Sequence, residues 1–395
     1  MTKQFMETRA GAAGAFEQFD LSRVSSPCFV VDEAAIDRNL KILADVGERS
    51  GARILLALKA FSMWSLAPLV RRRLAGVCAS GLWEARLGRD HFGGEVTTYC
   101  AGYKAADLPE IFALSDHVIF NSPAQKDRFL PLADAARAKG ERFDLGLRIN
   151  PEHRESAIEK YDPCQPGSRL GHPVSKLKAE DLVHIDGLHF HALCEQDFPP
   201  LQRIWEAIKP HVMPHVGGLK WLNMGGGHHI TRADYQRDDL IAFIRQVRAE
   251  TGLEIYLEPG EAVALDAGIL VGEVLDIADN GMPVAIVDIS ATCHMPDVIE
   301  APYRPHLLGE VKDGILVRLG GPSCLAGDII GEYGFAVPPK PGQRIAFLDQ
   351  AYYSMVKTNT FNGVPLPAIA VWNSETDAFR IVREFGYDEF VRRLS

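Results

Sequence analysis

Lys59, Arg148, His189, His191, Glu258 and the triplet Gly225, Gly226 and Gly227 are the residues whose types and spacing could do chemistry. A lysine closing an apolar run, as in "RILLALKAFS", invites two readings. The bland one is an ammonium that snorkels into solvent. The sharper one is a partly desolvated amine, available to form a Schiff base with a carbonyl. His191, in "GLHFHALCE", is either a core histidine bonded to backbone or a ring that stacks on an aromatic cofactor. Glu258, in "LEPGEAV", is a surface carboxylate or the group that keeps a pyridine nitrogen protonated, since an opposite charge in hydrogen-bond reach favours the charged form. The glycines of "NMGGGHH" make a plain tight turn or a cradle of N–H groups for a phosphate.

Lysine, stacking ring, phosphate cradle and carboxylate together describe a pyridoxal phosphate (PLP) site. A metal site competes with it. His189 and His191 lie two apart on a strand and share a face, and His228, His229, Cys293 and His294 could add ligands. In metal-dependent barrel hydrolases, however, that histidine pair belongs to the first strand, and here it falls on the sixth.

The elements that must position these residues form a regular series. β-rich runs occur at Arg53–Leu58, Ala75–Ala79, Glu95–Tyr99, His117–Phe120, Phe143–Ile149, Gly187–His191, Lys220–Asn223 and Leu253–Leu257. Between most of them lie stretches of helical period, such as "WSLAPLVRRRLAG", "PAQKDRFLPLADAARAKG" and "RDDLIAFIRQVRAETG". Eight strands alternating with helices predict an α/β fold, a (β/α)8 barrel over residues 36–265. All the singled-out residues then fall at the C-terminal ends of strands, the edge where such barrels bind ligands. After Pro259 the rhythm turns to β-runs separated by turns such as Asn280-Gly281 and Asp313-Gly314. Residues 266–395, joined by 1–35 through "PCFVVDEAAI", are expected to form a mostly β second domain. In it stand further candidates: Cys324 in "GGPSCLAGD", Asp297 and Glu300 in "CHMPDVIE", Asp328, and Tyr353 in "AYYSMVKTNTFNG". Each has an ordinary structural reading, as a small buried thiol or a solvated charge.

The chain of 395 residues, 47% hydrophobic and 24% charged, suits a soluble globular protein without a membrane span. A formal charge of −10 disfavours a nucleic-acid partner. The seven cysteines are odd in number, scattered and without a CxxC, and the N-terminus has no apolar core followed by a cleavage site. Free thiols and a cytoplasmic protein are the expectation.

These residues resemble the fold type III PLP-dependent decarboxylases, the group of the ornithine, arginine and diaminopimelate decarboxylases, which shares its barrel fold with alanine racemase. The likeness runs from "SSPCFVVDE" to "FNG". "GLHFHALCEQ", "EPGEAV", "HMPDVIEAPYRP" and "GGPSCLAGD" are similar to a subgroup acting on carboxylated polyamines, carboxynorspermidine and carboxyspermidine. The resemblance implies that Lys59 carries PLP, that His191 stacks on its ring, that Glu258 pairs with the ring nitrogen and that Gly225 to Gly227 hold the phosphate. Tyr353 would add a phosphate contact, and Arg148 would lie near the cofactor. Cys324 would protonate the product carbon and Asp297 would bind a distal amine, both across a homodimer interface, with Glu300, Asp328 and Glu261 as further substrate contacts.

Departures from the ornithine-type pattern are specific. Glu261 stands where "EPGR" has arginine, Leu325 follows the cysteine in place of an acid, and Cys194 replaces a serine. They argue for a longer substrate bearing a secondary amine. An ordinary amino-acid decarboxylase, a racemase on the same fold and a non-catalytic PLP-binding protein are the alternatives.

Overall fold

The structure, a computed structural model, describes residues 10–156, 159–301 and 303–395. It divides into two compact units, Arg38–Val263 and Ala264–Ser395, the second taking in the N-terminal residues through Asp37.

The first unit is a closed parallel barrel. Its strands are Arg53–Ala57, Gly76–Ala79, Glu95–Tyr99, His117–Phe120, Asp144–Asn150, Gly187–His189, Trp221–Asn223 and Glu254–Leu257. Each pairs in parallel with its neighbour, and the last closes on the first through Tyr256 opposite Arg53. Uninterrupted apolar runs such as Ile54–Ala57 form these strands because both of their faces are covered. Helices Ala67–Arg73, Pro123–Ala138, Phe198–Val212 and Arg237–Thr251 follow four of the strands. Between the fifth and sixth strands the described residues form only short 3-10 turns and the two-residue strand His172–Pro173. Pro151, Pro163, Pro166 and Pro173, with Gly167 and Gly171 at positive φ, break any helix there.

Below the mouth the barrel is filled by Leu55, Ile119, Trp221 and Tyr256. The Trp221 indole lies where a side chain at Gly146 or Gly187 would stand, since a Cβ on either would come within 2.5 Å and 2.0 Å of it. His117 stacks on the same indole at 4.6 Å.

The second unit is built on an eight-stranded sheet. Gly268–Asp279 is its longest strand and pairs antiparallel with Cys28–Asp32, Pro283–Val287 and Arg344–Leu348. Cys28–Asp32 also runs parallel to Ala368–Trp372, so the first strand among the described residues lies inside the sheet. Side-chain alternation gives the sheet two apolar faces. Phe29, Leu270, Val317, Tyr333 and Phe347 pack on one, and Phe16, Phe19, Val30, Val271 and Trp372 on the other. All seven cysteines are free thiols. Among the described residues no helix is long and apolar enough to cross a membrane.

Candidate active site

Strand parity decides which side chains enter the barrel mouth. Ile119, Gly146, Gly187 and Trp221 share one layer through the pairs Ile119–Gly146, Gly146–Gly187 and Gly187–Trp221, and this layer faces inward. Arg148, His189 and Asn223 stand two residues further on, in the next inward layer. Lys59, His191 and Glu258 continue the same parity beyond the ends of the first, sixth and eighth strands.

Hydrogen bonds then join them. The Lys59 Nζ lies 3.3 Å from His191 Nε2, and the Gly226 N–H donates to His191 Nδ1 at 3.0 Å. With Nδ1 accepting, a neutral imidazole carries its hydrogen on Nε2, so its approach to the Lys59 ammonium, itself a donor only, is a close contact in which neither nitrogen accepts. Burial, then the neighbouring Lys59 and Arg148 charges, hold the His191 pKa well below its ordinary value, which keeps this ring neutral. Arg148 is buried; its guanidinium donates to the His191 carbonyl at 3.0 Å and sits over the Tyr99 ring at 4.6 Å. Lys59 itself is exposed, as in the first of the two readings of a lysine that closes an apolar run. It stands one residue beyond the fully buried Leu58, and its side chain opens onto solvent.

Glu258 is held from two sides. Asn223 Nδ2 donates to Oε1 at 2.7 Å, and His189 Nε2 lies 3.3 Å from Oε2. Burial opposes the carboxylate's charge, but His189, Asn223 and Lys59 together hold its pKa below the ordinary glutamate value. Gly225 and Gly227 adopt φ of +67° and +89°, the left-handed region that favours glycine. A Cβ on Gly226 would stand 2.0 Å from the Glu258 carbonyl oxygen, and one on Gly227 2.0 Å from that of Leu193. The triplet therefore has to be glycine to lie against the sixth and eighth strands. The Gly225 N–H is bonded to Asn223 Oδ1 at 2.9 Å and that of Gly226 to His191. Asn150, at the end of the fifth strand, ties down the following segment instead of entering the mouth, its amide donating to the Pro163 and Leu170 carbonyls. Glu261 lies 3.3 Å from His229 Nε2.

In the sheet unit the segment 353–363 links the other candidates. Cys324 is exposed, and its N–H donates to Asn362 Oδ1 at 2.7 Å. Asn359 bonds the Thr292 and Cys293 carbonyls. Lys357 Nζ lies 2.5 Å from Asp297 and 3.7 Å from Glu300, and 5.4 Å from the centre of the Tyr353 ring. Asp328 is buried and accepts from the Ser290 and Ser323 hydroxyls and the Thr292 and Ser323 N–H groups. It anchors the cysteine loop from within. Asn223, Lys357 and Asn362 are the partners that sequence reasoning missed. A polar residue closing a buried strand was the available signal for Asn223, because such a group must be satisfied.

The mouth suits PLP. A lysine amine, a neutral ring beside it, an ionised carboxylate kept from solvent and a close-packed glycine turn are what an aromatic aldehyde phosphate with a basic ring nitrogen would need. The metal alternative loses its ligands: both His191 nitrogens face Gly226 and Lys59, and His189 Nε2 faces Glu258. Cys293 and His294 lie in the sheet unit, His294 bonded to Ser290 and Pro365. Among the described residues no cluster of three or more potential ligands stands in metal-binding arrangement.

Barrel, sheet unit and lysine-bearing mouth define a fold type III PLP enzyme. Residues 28–351 match the family described as "Pyridoxal-dependent decarboxylase, C-terminal sheet domain". The chain belongs to this pyridoxal-dependent decarboxylase family, and its cofactor is PLP. It is 38% identical to the carboxynorspermidine/carboxyspermidine decarboxylase of Campylobacter jejuni, over 94% of this chain and 99% of that one. It is 39% identical to the carboxyaminopropylagmatine decarboxylase of Synechocystis, over 97% and 99% of the two chains. The crystal structure of the Campylobacter jejuni carboxynorspermidine decarboxylase complexed with norspermidine superposes with a TM-score of 0.85, at 36% identity, covering 94% of this chain and 100% of that one.

Proposed function

We propose that the chain removes the carboxylate of a carboxypolyamine, carboxynorspermidine or carboxyspermidine, and releases norspermidine or spermidine. The observation that carries this reading is the near full-length likeness to enzymes named for such substrates. Leu325 after the cysteine, in place of an acid, agrees with it. When bound, PLP supplies an electron sink for the charge left by loss of CO2.

The chain's own residues would divide the remaining work. Lys59 would hold the cofactor through its amine. Glu258, ionised, would keep a proton on the cofactor's ring nitrogen, and His191 would contact its ring. Arg148 holds the His191 backbone, while the glycine turn, through Gly227 because the Gly225 and Gly226 N–H groups are bonded to Asn223 and His191, would take the phosphate with Tyr353. Cys324 Sγ delivers the proton to the substrate's α-carbon. Asp297 and Glu300, which share the Lys357 ammonium, would have to exchange it for the substrate's distal ammonium groups, with Glu261 as a further contact. Asp328, whose oxygens serve its own loop, acts through Cys324.

We infer also a cytoplasmic homodimer in which Cys324 and the acids complete the partner's barrel mouth; the resemblance and the exposure of Cys324 support this. Mixing inactive Lys59→Ala and Cys324→Ala chains tests it, since shared sites would restore part of the activity and separate sites none. A second reading, a guanidinium at the distal end, is favoured by the likeness to the carboxyaminopropylagmatine enzyme. CO2 release from carboxynorspermidine, carboxyspermidine, carboxyaminopropylagmatine, diaminopimelate and ornithine decides between them. Turnover of the first two supports the proposal, and preference for the third supports the guanidinium. Turnover confined to diaminopimelate or ornithine overturns both.

A further inference from the structure

Asn223 belongs to none of the roles above, yet it touches two of them. It closes the seventh strand, faces inward and is fully buried. Register sets it between His189 on the sixth strand and Tyr256 on the eighth. Its amide has one orientation compatible with its neighbours. Nδ2 donates to Glu258 Oε1 at 2.7 Å, and Oδ1 accepts from the Gly225 N–H at 2.9 Å. The Glu258 N–H in turn donates to the Gly225 carbonyl at 2.7 Å. Carboxylate, amide and glycine turn thus form one closed hydrogen-bonded unit.

We infer that Asn223 is a positioning residue that locks the Glu258 carboxylate to the glycine turn, so that the partner of the ring nitrogen and the phosphate cradle keep a fixed relation. The inference rests on the PLP reading of the mouth. Its physical content is that the site needs a neutral donor there. A carboxylate at 223 would keep the Gly225 bond but face Glu258 as a like charge, and two carboxylates in contact share a proton. A hydrophobic residue would lose both bonds and add no charge.

Asn223→Asp, Asn223→Leu and the double variant Asn223→Asp/Glu258→Gln separate these effects. In the double variant donor and acceptor are exchanged across the same contact. Two readouts are taken: melting of the apoprotein from about pH 5 to about pH 8, and PLP affinity by titration at about pH 8, a range above the ordinary carboxyl pKa. The paired carboxyls of Asn223→Asp have a folded pKa above the unfolded one. Their stability is full below the unfolded pKa and is lost as pH rises through the folded value. The melting gap between Asn223→Asp and wild type therefore widens with pH, while the Asn223→Leu gap stays flat. The double variant closes the gap at every pH, and it still binds PLP about tenfold or more weaker, because the charge has moved one layer away from the ring. A gap independent of pH in Asn223→Asp overturns the inference. So does a double variant that melts no better than the single ones, and this comparison holds even if Asn223→Asp does not fold. If wild type took up no PLP, the reading of the mouth would fall, while the apoprotein melts would still decide the coupling.

Discussion

Removing Asp328 is the perturbation whose size the structure lets us work out. Its carboxylate accepts from two hydroxyls, those of Ser290 and Ser323, and from two backbone N–H groups, those of Thr292 and Ser323. The hydroxyls can turn toward other acceptors, but the N–H groups are fixed by the backbone. Asp328→Ala leaves both without a partner in a buried place, at about 1–3 kcal/mol each, so a loss near 4 kcal/mol is expected. Asp328→Asn keeps one acceptor oxygen and strands one N–H opposite an amide, a loss near 2 kcal/mol. For a unit of this size about 2–4 °C of melting temperature accompanies each kcal/mol, so the alanine variant should melt roughly 8–16 °C lower and the asparagine variant about half that. Since Asp328 orders the loop bearing Cys324, turnover should fall in both variants while PLP affinity, to which that loop is assigned no contact, stays at the wild-type value. Differential scanning calorimetry with a parallel PLP titration checks this. Asp328→Ala melting within about 2 °C of wild type would show that these bonds do not hold the loop.

Two further outcomes follow from the geometry. Gly226→Ala places a Cβ 2.0 Å from the Glu258 carbonyl; overpacking of this kind costs about 1–3 kcal/mol, and PLP affinity measured by titration should drop at least tenfold. Burial lowers the His294 pKa to about 4, so the unfolded chain takes up a proton below about pH 6.5 that the folded chain refuses. Stability is full above that pH and is lost as pH falls from about 6.5 toward 4. His294→Gln should therefore lose about 2 kcal/mol less than wild type between about pH 7.5 and pH 5 in urea titrations, and equal losses would exclude the buried neutral imidazole.

The barrel was legible because its strands are short apolar runs covered on both faces, a pattern that survives without knowledge of the partners. Lys59, Arg148, His191 and Glu258 could be assigned to one edge for the same reason: each stands near or just past the end of its run, and parity turns it inward. The glycine triplet was legible as a turn, but its necessity lies in contacts with Glu258 and Leu193, residues far from it in sequence. The two readings of Lys59, solvated or desolvated, stayed open in the sequence because desolvation depends on what surrounds the mouth, and an apolar run describes only the strand beneath it.

What the sequence hides most thoroughly is the partner of a polar group. Asp297 reads as a free acid until Lys357, sixty residues on, is found against it. Asp328 reads as a charge for a substrate until its donors are counted. Asn223 reads as the start of a turn, yet its two hydrogen bonds fix both the carboxylate and the turn. Apolar residues are placed by a period that repeats locally, while polar ones are placed by pairing, which carries no local signature. Sequence reasoning can therefore assign an acid to a ligand when the fold has already given that acid a partner. For Asp328 the distinction turns on a count: four donors converge on one buried carboxylate, which leaves it a part in the chemistry only through the loop it holds.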